Sequence, residues 1–239
     1  MSDGYAVISG GSGHLGSAVA ARLLAEGRRV VVLDRVPPRA QGAEFHQTDL
    51  ADEQATDERL ARLLELRGAP DGLVMCQGWS PKGPDGRPLP EAEVPAALFR
   101  QVLDANLTSC FLLMRTLVPA MAEAGRGRVV AVGSAAAHTG RTTAGAAYAA
   151  AKAGLAAMVS TFAVRHGGDG VLINTVAPGK VANPDWPDSA EEIDRYRREI
   201  PVGRLAHKEE VADLIAFLVS DRNSYLTGQT VIVDGGRLA

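Results

Sequence analysis

The chain has 239 residues with 25 Lys and Arg against 28 Asp and Glu, a formal charge of −3, and 46% of its residues are hydrophobic. That length buries a substantial core, and no Pro/Ser/Gly linker or charge block divides it, so one domain spanning 1–239 is expected. Scattered rather than striped basic residues argue against nucleic-acid binding, and His14, His46, His138, His166 and His207 lack metal-ligand spacing, so no metal is expected.

Cys76 and Cys110 cannot make a disulfide framework, and each falls in an apolar run where a small buried side chain fits. No continuous apolar run approaches the ~20 residues of a bilayer span, and Met1-Ser2-Asp3-Gly4 lacks a signal-peptide pattern. A soluble, cytoplasmic protein with no membrane partner is the expectation.

Tyr5-Ala6-Val7-Ile8 reads as a strand, Ala18 to Gly27 as a helix stopped by its glycine, and Val30-Val31-Val32-Leu33-Asp34 as a parallel strand covered on both faces. Between strand and helix lies Ser9-Gly10-Gly11-Ser12-Gly13-His14-Leu15-Gly16. Glycines there let the backbone approach a pyrophosphate, and the helix N-terminus offers free N–H groups and a positive dipole end. Asp34 closes the second strand, where a carboxylate accepts hydrogen bonds from ribose hydroxyls and repels a 2′-phosphate; this argues for NAD over NADP.

A third strand is expected at Ala43–Gln47, a charged helix from Asp52 to Leu66, and a fourth strand at Gly72–Cys76 ending in Gln77-Gly78. Trp79 to Pro95 holds Pro81, Pro84, Pro88, Pro90 and Pro95 and must be a loop rimming the strand ends. Leu98 to Ala124 reads as a long, mostly buried helix. Asn106 in its middle either faces solvent or makes a purposeful hydrogen bond, because an unpartnered buried amide is costly. A fifth strand, Arg128–Ser134, delivers Ser134.

The alanine-rich run Ala144 to Ala163 reads as one helix, on which Tyr148 and Lys152 are four positions apart and share a face. A cation beside a phenol favours the phenolate, so the pair has the makings of a tuned acid/base. By itself this motif also occurs on exposed helices, and the rest of the chain has to decide. A sixth strand, Val171–Val176, stops at Ala177-Pro178-Gly179. Lys180 to Pro201, with Trp186 between prolines and a charged helix from Ser189 to Glu199, suits a mobile flap. An amphipathic helix at His207–Ser220 and a seventh strand at Val231–Gly236 complete an α/β, doubly wound, seven-stranded parallel sheet with helices on both faces.

With these pieces in order, the chain resembles the short-chain dehydrogenase/reductase family along nearly its whole length, in the flavour of 3-oxoacyl-carrier-protein reductases and secondary-alcohol dehydrogenases. The resemblance rests on the glycine turn, Asp34, Asp49-Leu50, Asn106, Ser134, Tyr148 with Lys152, Asn174 with Pro178-Gly179, and the tail from Pro201-Val202-Gly203-Arg204-Leu205 to Val233-Asp234-Gly235-Gly236. It implies a Rossmann-like fold, Tyr148 as acid/base, Lys152 as its electrostatic partner and ribose ligand, Ser134 on the substrate oxygen, and Asn106 holding a relay water. The implied cofactor set is Gly10, Ser12, Gly13, His14, Leu15, Gly16, Asp34, Asp49, Leu50, Gly78, Tyr148, Lys152, Pro178, Gly179 and Val181. It further implies a homo-oligomer, tetramer or dimer.

Four departures stand out. His14 replaces the usual middle glycine, Met75-Cys76-Gln77-Gly78 replaces N-N-A-G, one extra residue separates Ser134 from Tyr148, and Asn183 replaces a threonine. If the family arrangement holds, Gln77, Trp79, Ala136, His138, Arg141, Lys180 and Trp186 rim the substrate pocket, and three of these are cations that would suit an anionic group. The leading function is NAD-dependent interconversion of a secondary alcohol and a ketone on a small molecule. The alternatives are a 3-oxoacyl thioester reductase and a catalytically silent nucleotide sensor.

Overall fold

Seven strands run parallel: β1 (Tyr5–Ser9), β2 (Arg29–Asp34), β3 (Glu44–Gln47), β4 (Gly72–Met75), β5 (Gly127–Val132), β6 (Val171–Pro178) and β7 (Thr230–Val233). The structure is a computed structural model and describes residues 4–84, 86–140, 144–185 and 189–239. Strand order is β3-β2-β1-β4-β5-β6-β7. Winding therefore reverses between β1 and β4, and the carboxyl ends of those two strands open a crevice.

Side chains alternate between two cores, as the period of an extended strand requires. Ala6, Ile8, Val30, Val32 and Val130 face α1 (His14–Ala25) and α7 (Lys208–Leu218), meeting Val19, Leu23 and Ile215. Val7, Val31, Leu33, Val129 and Ile173 face α2 (Glu53–Arg67), α4 (Ser109–Glu123) and α5 (Ala146–His166), meeting Leu60, Leu113, Leu117 and Leu155. With helices on both faces the strands are buried on both sides, which explains their continuous apolar runs.

The long helix expected at 98–124 begins earlier and is not uniform. It starts as α3 (Ala96–Leu103), passes through a π-helical turn at Asp104–Thr108, and continues as α4. The sixth strand runs past Val176 through Pro178, which pairs with Val233; a proline is tolerated there because it is the strand's last residue. The last strand is shorter than expected, because Asp234 turns the chain by accepting the N–H groups of Gly236 and Leu238.

No continuous apolar run approaches a bilayer span, since Arg100, Asp104 and Arg115 interrupt one long helix and Lys152 another, but averaged composition reads differently. Two helices, Ala96–Glu123 and Ala146–Asp169, are long and apolar enough by length and composition to cross a bilayer. Their apolarity has another use: Leu113, Leu117, Leu155 and Val159 are buried in the core beneath the sheet. The flap segment contains α6 (Ala190–Glu199), opened by a capping box in which the Ser189 side chain accepts the Glu192 N–H and the Glu192 carboxylate accepts the Ser189 N–H.

Candidate active site

At the crevice between β1 and β4 the glycine turn closes onto the start of α1. Gly10 has φ +66, and a Cβ there would lie 2.5 Å from the Gln77 backbone nitrogen. A Cβ on Gly16 would lie 2.1 Å from the Gly10 carbonyl oxygen, so α1 approaches the turn as closely as only glycine permits. Gly13, by contrast, has nothing nearer than 3.3 Å to its would-be Cβ and faces a cavity of about 520 Å³. Gly10, Ser12, Asp34, Asp49, Leu50 and Gly78 line the same cavity. The Asp34 carboxylate accepts the N–H of Ser12 at 3.0 Å and of Arg35 at 2.7 Å, which ties the end of β2 to the turn. Backbone N–H groups, a helix N-terminus and a carboxylate at the far end make a cradle that fits a dinucleotide.

His14 is the first residue of α1, and its Nε2 lies 2.8 Å from the Ala182 carbonyl oxygen, across the mouth of the crevice. The segment it reaches is anchored. Val181 bridges Ala206, Ala182 N–H donates to Ala206, and Ala206 N–H donates to the Lys180 carbonyl. Pro178 and Gly179 lead into that bridge from β6, with Gly179 N–H donating to Val233.

The second cluster lies deeper. Lys152, only 2% exposed, projects from α5 and donates to the Val132 carbonyl at 2.8 Å and the Gln77 carbonyl at 3.3 Å. A buried ammonium has to be met by such acceptors. Its Nζ lies 5.8 Å from the centre of the Tyr148 ring, so the one-turn spacing does bring the two together. Asn106 is fully buried within the π turn. Its amide donates to the Val102 and Trp79 carbonyls, each at 2.8 Å, and accepts the Trp79 N–H at 3.1 Å. Between them sits Gly78, whose Cβ would be 3.1 Å from Asn106 Oδ1 and 3.4 Å from Lys152 Nζ. Residues 106, 78 and 152 thus converge from three elements, and the π turn re-aims the asparagine as such turns do at functional sites.

Desolvation pushes the Cys76 thiol up to about 12 and the Cys110 thiol up to about 11, against the pull of nearby Lys152. Both are neutral at physiological pH.

A family model described as enoyl-(acyl carrier protein) reductase matches residues 12–237. The chain belongs to the short-chain dehydrogenase/reductase family. It is 33% identical to a 2-dehydro-3-deoxy-L-rhamnonate dehydrogenase (NAD(+)) of Sphingomonas sp. (strain SKA58), over 97% of this chain and 94% of the relative. It is 34% identical to a cis-4-hydroxycyclohexanecarboxylate dehydrogenase of Sinomonas cyclohexanicum, over 98% and 96%. A short-chain dehydrogenase from Leptospira borgpetersenii, solved with bound NAD+, superimposes with a TM-score of 0.91 at 26% identity, covering 100% of this chain and 94% of that one. The protein is accordingly an oxidoreductase acting on CH–OH groups.

In this short-chain dehydrogenase/reductase, Ser134 lies two residues beyond β5 and caps a 3₁₀ turn, Ala135–His138, where its Oγ accepts the Ala136 N–H at 3.1 Å. Among the described residues, those expected to rim the substrate pocket do not form one group. The Gln77 side chain turns inward: its Oε1 accepts from Ser9 Oγ at 2.6 Å, and its Nε2 donates to Ser109 Oγ and Cys110 Sγ, each at 3.2 Å. Trp79 lines the cofactor-side cavity with Gly78. Lys180 Nζ lies 5.5 Å from the Tyr196 ring centre, His138 is exposed at the end of its turn, and Arg141 and Trp186 lie outside the described residues.

The proline-rich loop supplies what the sequence did not single out. A cavity of about 370 Å³ adjoins Tyr148 and is walled by Ser80, Leu89, Val94, Phe99 and Val102, with Glu91 the one charged lining residue among the described residues. Prolines and glycines announce a loop there, but they do not say which side chains it turns inward.

Proposed function

We propose that the protein interconverts a secondary alcohol and a ketone on a small molecule, with NAD as its partner and Tyr148 as acid/base. The observation that carries the reading is the buried Lys152 ammonium beside the Tyr148 ring, held by two carbonyls and backed by Asn106 across Gly78. A positive charge fixed there would stabilise negative charge on the phenol oxygen, and the two carbonyls it donates to support the reading by fixing its position.

The cradle residues fit a dinucleotide: Gly10, Ser12, Gly13, His14, Leu15 and Gly16 would hold the pyrophosphate, Asp34 the ribose, Asp49 and Leu50 the adenine side, and Gly78, Pro178, Gly179 and Val181 the nicotinamide end. When bound, NAD supplies the acceptor or donor of the hydride at its nicotinamide C4. Asp34 supports NAD over NADP, as do the NAD(+) in the Sphingomonas relative's name and the NAD+ bound to the Leptospira structure. In the oxidative direction Tyr148 takes the proton of the substrate hydroxyl, and in reduction it returns that proton to the carbonyl oxygen. Ser134, oriented by the Ala136 N–H, hydrogen-bonds the same oxygen, and Lys152 with Asn106 passes the proton on toward solvent.

Titration with NADH and NADPH tests the cofactor assignment: NADH should bind at least about tenfold more tightly, and a preference for NADPH would overturn the reading of Asp34. Tyr148→Phe should keep NADH binding and lose turnover by about a hundredfold or more. The description of the matching family model favours one second reading, reduction of a 3-oxoacyl thioester; assay of an acetoacetyl thioester with both cofactors separates the two. We further infer that the segment 180–201 closes over bound substrate, and that α4 and α5 supply the contact of a homo-oligomer. Supporting the contact are the small exposed residues Ala150, Ala153, Ala157 and Ser160 along α5 and the half-exposed Phe111 on α4.

A further inference from the structure

We propose that His14 is a positioning residue for the dinucleotide: its ring latches the start of the 180–201 segment onto the glycine turn, so that the cofactor leaves when this contact opens. The assignment rests on the NAD reading above, because it takes the turn and the chain after β6 as the two walls that hold the pyrophosphate and the nicotinamide end.

Both ends of the contact are fixed. His14 opens α1 directly after Gly13, and its Nε2 reaches the Ala182 carbonyl oxygen at 2.8 Å, 168 residues away in the chain. A carbonyl only accepts, so Nε2 carries the hydrogen and the ring is the donor. On its own side the first turn of α1 is closed by Ser17, whose N–H donates to the Gly13 carbonyl at 2.9 Å and whose Oγ donates to the His14 carbonyl at 3.0 Å. On the other side Ala182 N–H donates to the Ala206 carbonyl at 2.9 Å, beside the bridge between Val181 and Ala206. The imidazole therefore joins two ordered stretches of backbone.

Little else holds the segment to the cofactor half of the molecule. Among the described residues, the one other hydrogen bond or ion pair from 182–185 to that half is Arg39 with Asp185, exposed on both partners and of small worth. Asp185 N–H donates to Asn183 Oδ1, inside the segment itself. The glycine usual at position 14 in the family has no side chain with which to reach Ala182, so the latch belongs to this chain.

The size of the effect follows from its chemistry. One neutral hydrogen bond changes an equilibrium by about three- to tenfold. That is enough to set how often the wall next to Gly179 and Val181 opens, while the backbone N–H groups of the turn still decide whether a dinucleotide binds at all.

The test follows NADH leaving the full-length protein, displaced by excess NAD in stopped-flow fluorescence, for wild type, His14→Ala, His14→Phe and His14→Gln. Phe keeps a ring and removes the donor, whereas Gln keeps an N–H donor. Release should quicken about three- to tenfold in the Ala and Phe variants and return to within about twofold of wild type in the Gln variant, with thermal melting to check that each is folded. Unchanged release in the Ala and Phe variants would overturn the latch. So would equal acceleration in all three, which is what a merely structural part in the turn would give.

Should the wild type bind no NADH, hydrogen–deuterium exchange at the Ala182 and Ala206 amides of the free protein decides separately. Exchange about threefold or more faster in His14→Phe than in wild type and His14→Gln would uphold the latch while the NAD reading fails, and equal exchange in all of them would overturn it.

Discussion

Gly78 separates two buried polar side chains, and this one position illustrates how narrow the site's tolerances are. A methyl group there would stand 3.1 Å from the Asn106 carbonyl oxygen and 3.4 Å from Lys152 Nζ. Gly78→Ala is expected to displace the ammonium and lower kcat by about tenfold or more while shifting Tm little, a split that steady-state kinetics and calorimetry together will show. Asn106→Ala should behave differently. It strands the N–H and C=O of Trp79, worth about 1–3 kcal/mol, so Tm should fall by several degrees along with activity. The two thiols, buried Cys110 and partly buried Cys76, give a chemical check. With the Cys76 pKa near 12, roughly one molecule in ten thousand is thiolate at pH 8, so iodoacetamide should label the native protein very slowly, and unfolding should release both thiols. At this scale the residue types were legible in the sequence: Ser134, Tyr148, Lys152 and Asn106 were all singled out. Their partners were not, because the Val132 and Gln77 carbonyls and the Ser9–Gln77–Ser109 contacts join positions far apart in the chain.

Among the elements, α1 and α7 depend most visibly on their first turns. Gly16→Ala would drive a Cβ to 2.1 Å from the Gly10 carbonyl and 2.8 Å from the Gly11 Cα, both backbone atoms that cannot swing aside. The helix must back away from the turn, and NADH affinity is expected to fall more than about tenfold in a fluorescence titration. At α7, Glu210 accepts two bonds from Arg204 and one from the His207 N–H, which holds its carboxyl down at about 2 against an ordinary 4.5. A depressed carboxylate contributes stability at pH values above its ordinary pKa and loses that contribution as pH falls toward the folded value. Glu210→Gln should therefore melt earlier than wild type at pH 7, with the gap closing between pH 4.5 and 2 in a series of thermal melts. The pair also explains why Arg204 follows the Pro201-Val202-Gly203 turn: it pins the exit of the flap segment to the start of α7. Element types and order were legible from periodicity and glycine punctuation. The π turn at Asp104–Thr108 was not, because an inserted residue in a helix leaves no mark on the apolar pattern, and the expected burial holds for α4 but not for α3, where Val102 is the one buried residue.

For the whole molecule, the strand order gathers the strand-end residues with proposed roles at one edge. The glycine turn follows β1, Gln77-Gly78 follows β4, Ser134 follows β5, and Pro178-Gly179 ends β6, all at the carboxyl side of the sheet. The flap is tethered at its far end, where Tyr196 is buried under Arg237 and Glu199 pairs with that arginine. Near its start, Arg39 makes an exposed ion pair with Asp185 at 2.8 Å. The oligomer proposed above is tested on the small-residue face of α5. Ala157→Arg should reduce the mass measured by light scattering to that of a smaller species, and an unchanged mass would place the contact elsewhere.

From its sequence alone this protein declares a doubly wound sheet, a dinucleotide turn and a Tyr–Lys pair one helical turn apart. Those features are local: strand and helix periods, glycine where backbone must crowd backbone, and side chains four residues apart on one face. What the tertiary structure decided is non-local. It turned Gln77 inward to Ser9 and Ser109, set His14 against Ala182, sent Lys180 to the Tyr196 ring, and folded the proline-rich loop against α3 and α5 to enclose a cavity beside Tyr148. Such contacts join residues that only the packing of separate elements brings within reach, so no window of sequence holds both partners.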